Sequence, residues 1–228
     1  MRPLTFAADE EVLNLGVKIL TARVSNIKNT KSSPTLDSFI EEELVKIKTY
    51  WQDKDYKQDP ILQGFKELHT SVGRSNRDYP ASPEVLLRLL IERDRFPRIN
   101  CVVDIYNLFS VKTHLALGAH DIEKVNGNIT LRLTRGDETF VPLGRQEKVQ
   151  VPAGEYAYID DGNNIICRME VLQIEPTKIT EDSKDIFLII QGNKNTDTQY
   201  IKETTDDLLT TLTKSCGGNH TLLNSVEE

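Results

Sequence analysis

Within the run Ile99-Asn100-Cys101-Val102-Val103-Asp104-Ile105-Tyr106-Asn107-Leu108-Phe109-Ser110, side chains able to form several hydrogen bonds are embedded among apolar ones. Buried groups of that kind must be paired, or each costs about 1–3 kcal/mol. Asp104 and Asn107 lie three apart, so on a helix they share a face. Two readings are open. In one the polar residues form a structural clamp, Asp104 capping a loop and Asn107 pinning a neighbouring strand. In the other they are the wall of a pocket whose amide and hydroxyl groups recognise a ligand. The histidine pair His114 and His120, followed by Asp121, is the candidate for a metal site. A separation of six does not place both on one helix face and no further ligand is near, so no metal is expected and His120 is read as a pocket or surface residue. The sequence contains no Walker phosphate loop, no dinucleotide-binding glycine fingerprint after a strand, no Gly-x-Ser-x-Gly elbow and no His-Glu-x-x-His helix.

The elements that must position these residues follow from periodicity. Val12 to Val24 reads as a strand, with Gly16 at a kink or close contact. Pro34 opens an amphipathic helix through Leu36, Phe39, Ile40, Leu44, Ile47 and Trp51, and Pro60 to Val72 continues the pattern up to the stop at Gly73. The next helix starts with Ser82 as cap, Pro83 in the first turn and Glu84 behind it, and ends at Pro97. Ile99 to Val111 fits a buried helix. Beyond Gly118, short apolar runs are separated by turn residues, and Ile129–Leu133, Thr139–Val141, Tyr156–Ile159, Ile165–Met169 and Ile186–Ile190 read as strands. Thr196 to Thr213 returns to helical spacing, and the tail from Gly217 has little to order it.

Composition narrows the partners. The 228 residues carry a formal charge of −7, with 38% apolar residues, enough for a substantial core. An acidic chain is a poor candidate for coating nucleic acid, because that mode relies on many Lys and Arg neutralising phosphates. A local basic patch from Arg74, Arg77, Arg88, Arg93, Arg95 and Arg98 competes with the plainer reading of a solvated helix face interleaved with Glu84, Glu92 and Asp94. Cys101, Cys167 and Cys216 are odd in number and far apart, which suggests neither a disulfide framework nor a zinc ribbon. No run is apolar enough to cross a membrane, and a soluble cytoplasmic protein is expected.

Asn100 through Ser110, then Leu117-Gly118-Ala119-His120-Asp121, then Asn126-Gly127-Asn128-Ile129-Thr130-Leu131-Arg132, resembles the editing-domain core of the phenylalanyl-tRNA synthetase beta subunit, its B-three/B-four region. Further matches run through Gly136-x-Glu138-Thr139-Phe140, so the similarity extends over roughly Glu84 to Gly192. The N-terminal part, with Tyr79-Pro80-Ala81-Ser82-x-Glu84, is more similar to stand-alone relatives of that domain. The resemblance implies an α+β class: a three-layer domain with a β-sandwich element and mixed or antiparallel sheets flanked by helices. A single domain over 1–228 is expected, with an N-terminal strand and helices in 1–83, the editing-like core in 84–192 and a C-terminal helix and tail in 193–228.

The function the resemblance implies is hydrolysis, in trans, of the ester of a mischarged aminoacyl-tRNA, using a positioned water and donors for the oxyanion, with no cofactor. The alternative is a non-catalytic binder of tRNA 3′ ends or amino-acid-like small molecules. The expected partners are the aminoacylated 3′ end of tRNA and a synthetase or other translation protein, with no membrane. Carried over by resemblance, Asn107 is the pocket asparagine and Glu175 the pocket glutamate, the two expected catalytic residues. Asn100, Asp104, Tyr106, Ser110, Gly118, His120, Arg168 and Thr177 are the expected substrate-binding set. Tyr106 stands where the synthetase has a smaller threonine, and Gly118 where it has a histidine, with His120 two positions later in place of an aromatic residue. A glycine-rich run of the synthetase is replaced by Cys167-Arg168-Met169-Glu170-Val171-Leu172-Gln173, so that Arg168 either binds a carboxylate or phosphate or pairs with a surface acid.

Overall fold

The computed structural model describes residues 2–226. A short strand β1 (Phe6–Ala8) and a one-turn helix α1 (Glu10–Leu13) lead into the long strand β2 (Lys18–Ser25). Between α1 and β2, Gly16 has φ +92°, and a Cβ there would sit 2.9 Å from Cβ of Lys194, so both the turn and the close approach require glycine. Helices α2 (Pro34–Trp51), α3 (Pro60–Ser71) and α4 (Ser82–Arg93) each begin with proline in the first turn, where the missing N–H is not needed. α3 is further capped by Asp59, whose carboxylate accepts from Ile61 N and Leu62 N. Helix α5 (Cys101–Thr113) is buried on all sides except at Lys112, which explains why apolar residues recur on every side of it.

Strands β3 (Ala116–Asp121), β4 (Ile129–Leu133), β5 (Tyr156–Asp160), β6 (Ile165–Arg168), β7 (Leu172–Gln173) and β8 (Ile186–Gly192) follow, then helix α6 (Thr198–Cys216) and strand β9 (Asn219–Leu222). They form two sheets, a five-stranded one in the order β1-β4-β5-β6-β7 and a four-stranded one in the order β3-β8-β2-β9. Every pairing is antiparallel except β1 with β4. Alternation along β2 and β8 assigns the layers. Leu20, Ala22, Val24, Leu188 and Ile190 face one core with α2, α5 and α6, whereas Ile19, Phe187 and Ile189 face a second core filled by the five-stranded sheet. Helices, four-stranded sheet and five-stranded sheet therefore stack as three layers. No helix among the described residues is long and apolar enough to cross a membrane.

The α+β class and the buried helix over Ile99–Val111 agree with the sequence reading; some elements differ. Val12 to Val24 divides into α1 and β2, with the strand starting at Lys18. Thr139–Val141 forms no strand: Thr139 makes a single bridge to Asn164 and Pro142 one to Ile174. β3 is hidden by its composition, Ala-Leu-Gly-Ala-His-Asp, which lacks branched residues. β9 is hidden by its polarity; it pairs with β2 through backbone, and beyond it Asn224 accepts from Thr21 N at 2.8 Å and donates to Ile19 O at 2.9 Å.

Candidate functional site

A cavity of about 590 Å³ lies where α5, the loop before α4, β3 and the inner faces of β5 and β6 meet. Three α5 side chains one turn apart, Val103, Tyr106 and Asn107, form one wall, as i, i+3 and i+4 spacing on a helix dictates. Exposed Ile99 and Leu143 stand at its rim, and buried Tyr158, Cys167, Glu170 and Ile189 at its closed end. A volume of this size fits an amino-acid-sized ligand.

The expected site residues separate into three groups. Tyr106, Asn107 and Gly118 line the cavity. The Asn107 amide makes no hydrogen bond to any described residue, although Asn107 is 8% exposed; Gln173, also in the lining, is likewise unbonded through its side chain. Gly118 faces Gln173: a Cβ on Gly118 would lie 2.8 Å from Gln173 Nε2, so the glycine makes room for that amide. Burial first, then the negative charge of Asp104, pushes the Tyr106 hydroxyl up and keeps it protonated.

The second group turns its polar atoms into the scaffold. Asn100 caps α5, accepting from Val103 N at 3.1 Å and donating to Ile179 O at 3.2 Å. Asp104 accepts from Ile99 N and Arg98 Nε, both at 2.7 Å, which fixes the chain entering α5 and matches the clamp reading for that residue. Ser110 donates to Leu115 O at 2.8 Å, and His120 Nδ1 meets Thr177 Oγ1 at 2.8 Å, all of these groups buried outside the cavity lining. His114 pairs with Asp59 at 3.0 Å, so the two histidines do not converge. Among the described residues no group of three or more His, Cys, Asp or Glu side chains could hold a metal ion.

The third group comprises the two charged candidates. Arg168 grips Glu155 with Nε at 2.6 Å and Nη2 at 2.8 Å, and its guanidinium lies 4.8 Å from the ring centre of Tyr79. The acid it pairs with is itself fully buried, not at the surface. Glu175 sits outside the cavity, bonded to Lys178 and accepting from Gly144 N at 3.1 Å; the Lys178 contact leads in holding its carboxyl below the ordinary value.

The closed end of the cavity escapes sequence reasoning. Glu170 stands in the run Cys167 to Gln173 with nothing local to single it out, yet among the described residues it is the one buried acid lining the cavity. Met169 before it has φ +51°, a left-handed conformation uncommon for such a residue, and the turn this makes after β6 brings Glu170 inward. An acid following the apolar strand Ile165–Cys167 is the one signal the sequence offers.

Among known proteins, residues 66–216 match the B3/4 domain family. The chain is 32% identical over 123 residues to the phenylalanine–tRNA ligase beta subunit of Methanococcus maripaludis strain C6, covering 45% of this chain and 22% of that protein. It is 27% identical over 128 residues to the beta subunit of Mycoplasma pneumoniae, covering 56% of this chain and 15% of that protein. It thus spans about a fifth or less of the length of these relatives. The crystal structure of an N-terminal fragment of the phenylalanyl-tRNA synthetase beta subunit from Pyrococcus horikoshii shares the fold, with a TM-score of 0.52 and 14% identity over 96% of this chain and 51% of that one.

Proposed function

Because the chain belongs to the B3/4 domain family, we propose that it hydrolyses, in trans, the ester of wrongly aminoacylated tRNA in the cytoplasm, admitting the aminoacyl end beside Asn107. The observation that carries this reading is the Asn107 amide, lining a cavity of amino-acid size without a partner among the described residues. An amide so placed can orient an ester carbonyl or the attacking water, and a side-chain N–H can donate to the oxyanion as the ester carbon becomes tetrahedral. Water adds to that carbon and the ribose hydroxyl leaves, so no protein nucleophile is consumed. Gln173 supplies a second amide on the wall opened by Gly118. Glu175 acts on the rim through Gly144, next to Leu143, and not on the ester.

Outside the mouth, Arg77, Arg95 and Arg145 are exposed, make no ion pair among the described residues and adjoin the lining residues Asp78, Pro97 and Leu143 within one or two positions. They supply a small cationic rim for the last phosphates of a tRNA. Of the other arginines of the candidate patch, Arg98 is bound to Asp37 and Asp104 and Arg74 to Glu155, whereas Arg88 and Arg93 are exposed on α4 without an ion pair among the described residues. Incubating the protein with a panel of mischarged tRNAs is the test. Release of at least one amino acid above the buffer rate is expected, and none released from any tRNA overturns the reading.

A second reading is a non-catalytic binder of tRNA 3′ ends or amino-acid-like small molecules. It is favoured by the place of Glu175 outside the cavity and by the lack of a histidine among the described lining residues. Saturable binding of an aminoacyl analogue with no ester hydrolysis would select it. A synthetase or other translation protein as partner is tested by co-purification.

A further inference from the structure

Several elements converge on one carboxylate at the closed end of the cavity. Glu170 is 7% exposed and lines the cavity. Its Oε2 accepts from the hydroxyl of Tyr156 on β5 and, at 3.2 Å, from the amide of Gln191 on β8; its Oε1 meets Nε2 of His69 on α3 at 2.5 Å. Each carboxylate oxygen has room for two donors. Oε2 is filled by these two, whereas Oε1 has His69 as its one side-chain donor, with the backbone N–H of Glu170 itself also favouring the charge.

The surroundings favour the ionised form of the pair. Burial works against the charge on Glu170, but the charge and hydrogen bond of His69, with the Tyr156 hydroxyl, outweigh it and hold the carboxyl below its ordinary value. Burial likewise works against His69, and Glu170 more than compensates, raising it. Glu84 on α4 also favours the charged imidazole and is itself bonded by Asn76 at 3.1 Å, with Lys66 at 4.0 Å. Tyr156, Tyr158 and Cys167, the remaining titratable groups around the pair, are kept protonated by burial. The other acid of the lining, Asp78, is exposed at the rim.

We propose that Glu170 is the ligand-recognising carboxylate of the cavity, that it takes a protonated amine, and that His69 positions it and gives up its own proton as the amine docks. The inference rests on the reading that the cavity admits an aminoacyl ligand. An apolar group would add no donor to this carboxylate, and a second carboxylate would be repelled. A neutral hydroxyl could donate there, but a charged donor gains more from an ionised acceptor. No covalent bond changes. The ammonium keeps its protons, the imidazolium proton passes to water, and the buried group stays neutral overall, with the ligand replacing His69 as counter-charge. The amine is either the α-amino group of the aminoacyl ester or an amine at the tip of its side chain.

Hydrolysis-resistant 3′-aminoacylamino-3′-deoxyadenosines are the probes, titrated calorimetrically into the full chain in two buffers of different ionisation enthalpy. The arms are leucyl (α-amine only), N-acetyl-lysyl (tip amine only), N-acetyl-6-hydroxynorleucyl (tip hydroxyl) and N-acetyl-leucyl (neither). One amine probe should bind about ten-fold or more tighter than the hydroxyl and amine-free probes, with proton release to buffer, and which one it is identifies the source of the amine. Glu170→Gln should erase that preference while still binding N-acetyl-leucyl. Equal affinity across the four probes, binding of an amine without proton release, or a preference surviving in Glu170→Gln overturns the inference and leaves the cavity reading standing. If no probe binds, or if Asn107→Ala binds all of them as the native protein does, the cavity reading fails and this inference falls with it. Proton release is measured on the unaltered protein and so decides the matter even if the variant fails to fold.

Discussion

Asn107 presents an amide that no described protein group satisfies, so its removal should cost the fold little and the ligand much. For Asn107→Ala we expect stability to change by less than about 1 kcal/mol while deacylation, or affinity for an aminoacyl analogue, falls about ten-fold or more. Denaturant unfolding beside a deacylation assay checks this, and a large stability loss would mark the amide as structural. His120 offers a pH prediction. Burial drives its imidazole down to about 3 from the ordinary 6.5. The unfolded chain takes up that proton as pH falls through 6.5, whereas the folded chain refuses it until about 3, so the stability is fully present above 6.5 and drains away across that window. His120→Gln, which does not titrate, should unfold with a flatter acid limb between those limits; an unchanged slope would show that His120 is charged in the fold. At this scale the sequence marks the right helix, because polar residues in an apolar run are conspicuous. It does not tell their fates apart. Asp104 finds its partners at Arg98 and Ile99, Ser110 at Leu115, and Asn107 finds none. Glu170 is harder to read still, because the residue that makes its charge tolerable, His69, is 101 positions away.

Helix α3 is the element on which the closed end depends, since it carries His69. It is docked through Gly64: a Cβ there would lie 2.0 Å from Oδ1 of Asn193, a buried residue that also donates to Ile61 O at 2.8 Å. Glycine to alanine within a helix ordinarily favours the helix by about 1 kcal/mol, but overpacking against a fixed neighbour costs about 1–3 kcal/mol. Gly64→Ala should therefore destabilise the protein and, by shifting α3, weaken ligand binding. Urea unfolding that shows a gain in stability would mean that Asn193 yields freely. The helices are legible because a 3.6-residue apolar period and proline starts are local signals. β3 and β9 are not, since neither owes its existence to its own side chains. β3 pairs with β8 beneath the buried α5, and β9 is held by a ladder to β2.

For the whole molecule, a net charge of −7 and a rim of three arginines without an ion pair among the described residues imply a modest electrostatic grip. If only the 3′ end is held, about three phosphate contacts on a single strand give a slope of roughly −2 for log K against log salt. Affinities for an aminoacylated tRNA at several salt concentrations would check it, and a slope several times steeper would mean that the tRNA body is bound. The three-layer arrangement is legible through the resemblance, because periodicity finds strands but does not say which sheet each one joins. That layering also carries a practical consequence. Cys101 and Cys216 belong to the helical core, whereas Cys167 lines the cavity, and burial holds its thiol up in the protonated, unreactive form. Its rate of alkylation is thus a clock for passage of a small reagent to the closed end of the cavity, and any occupant of the cavity should slow that clock.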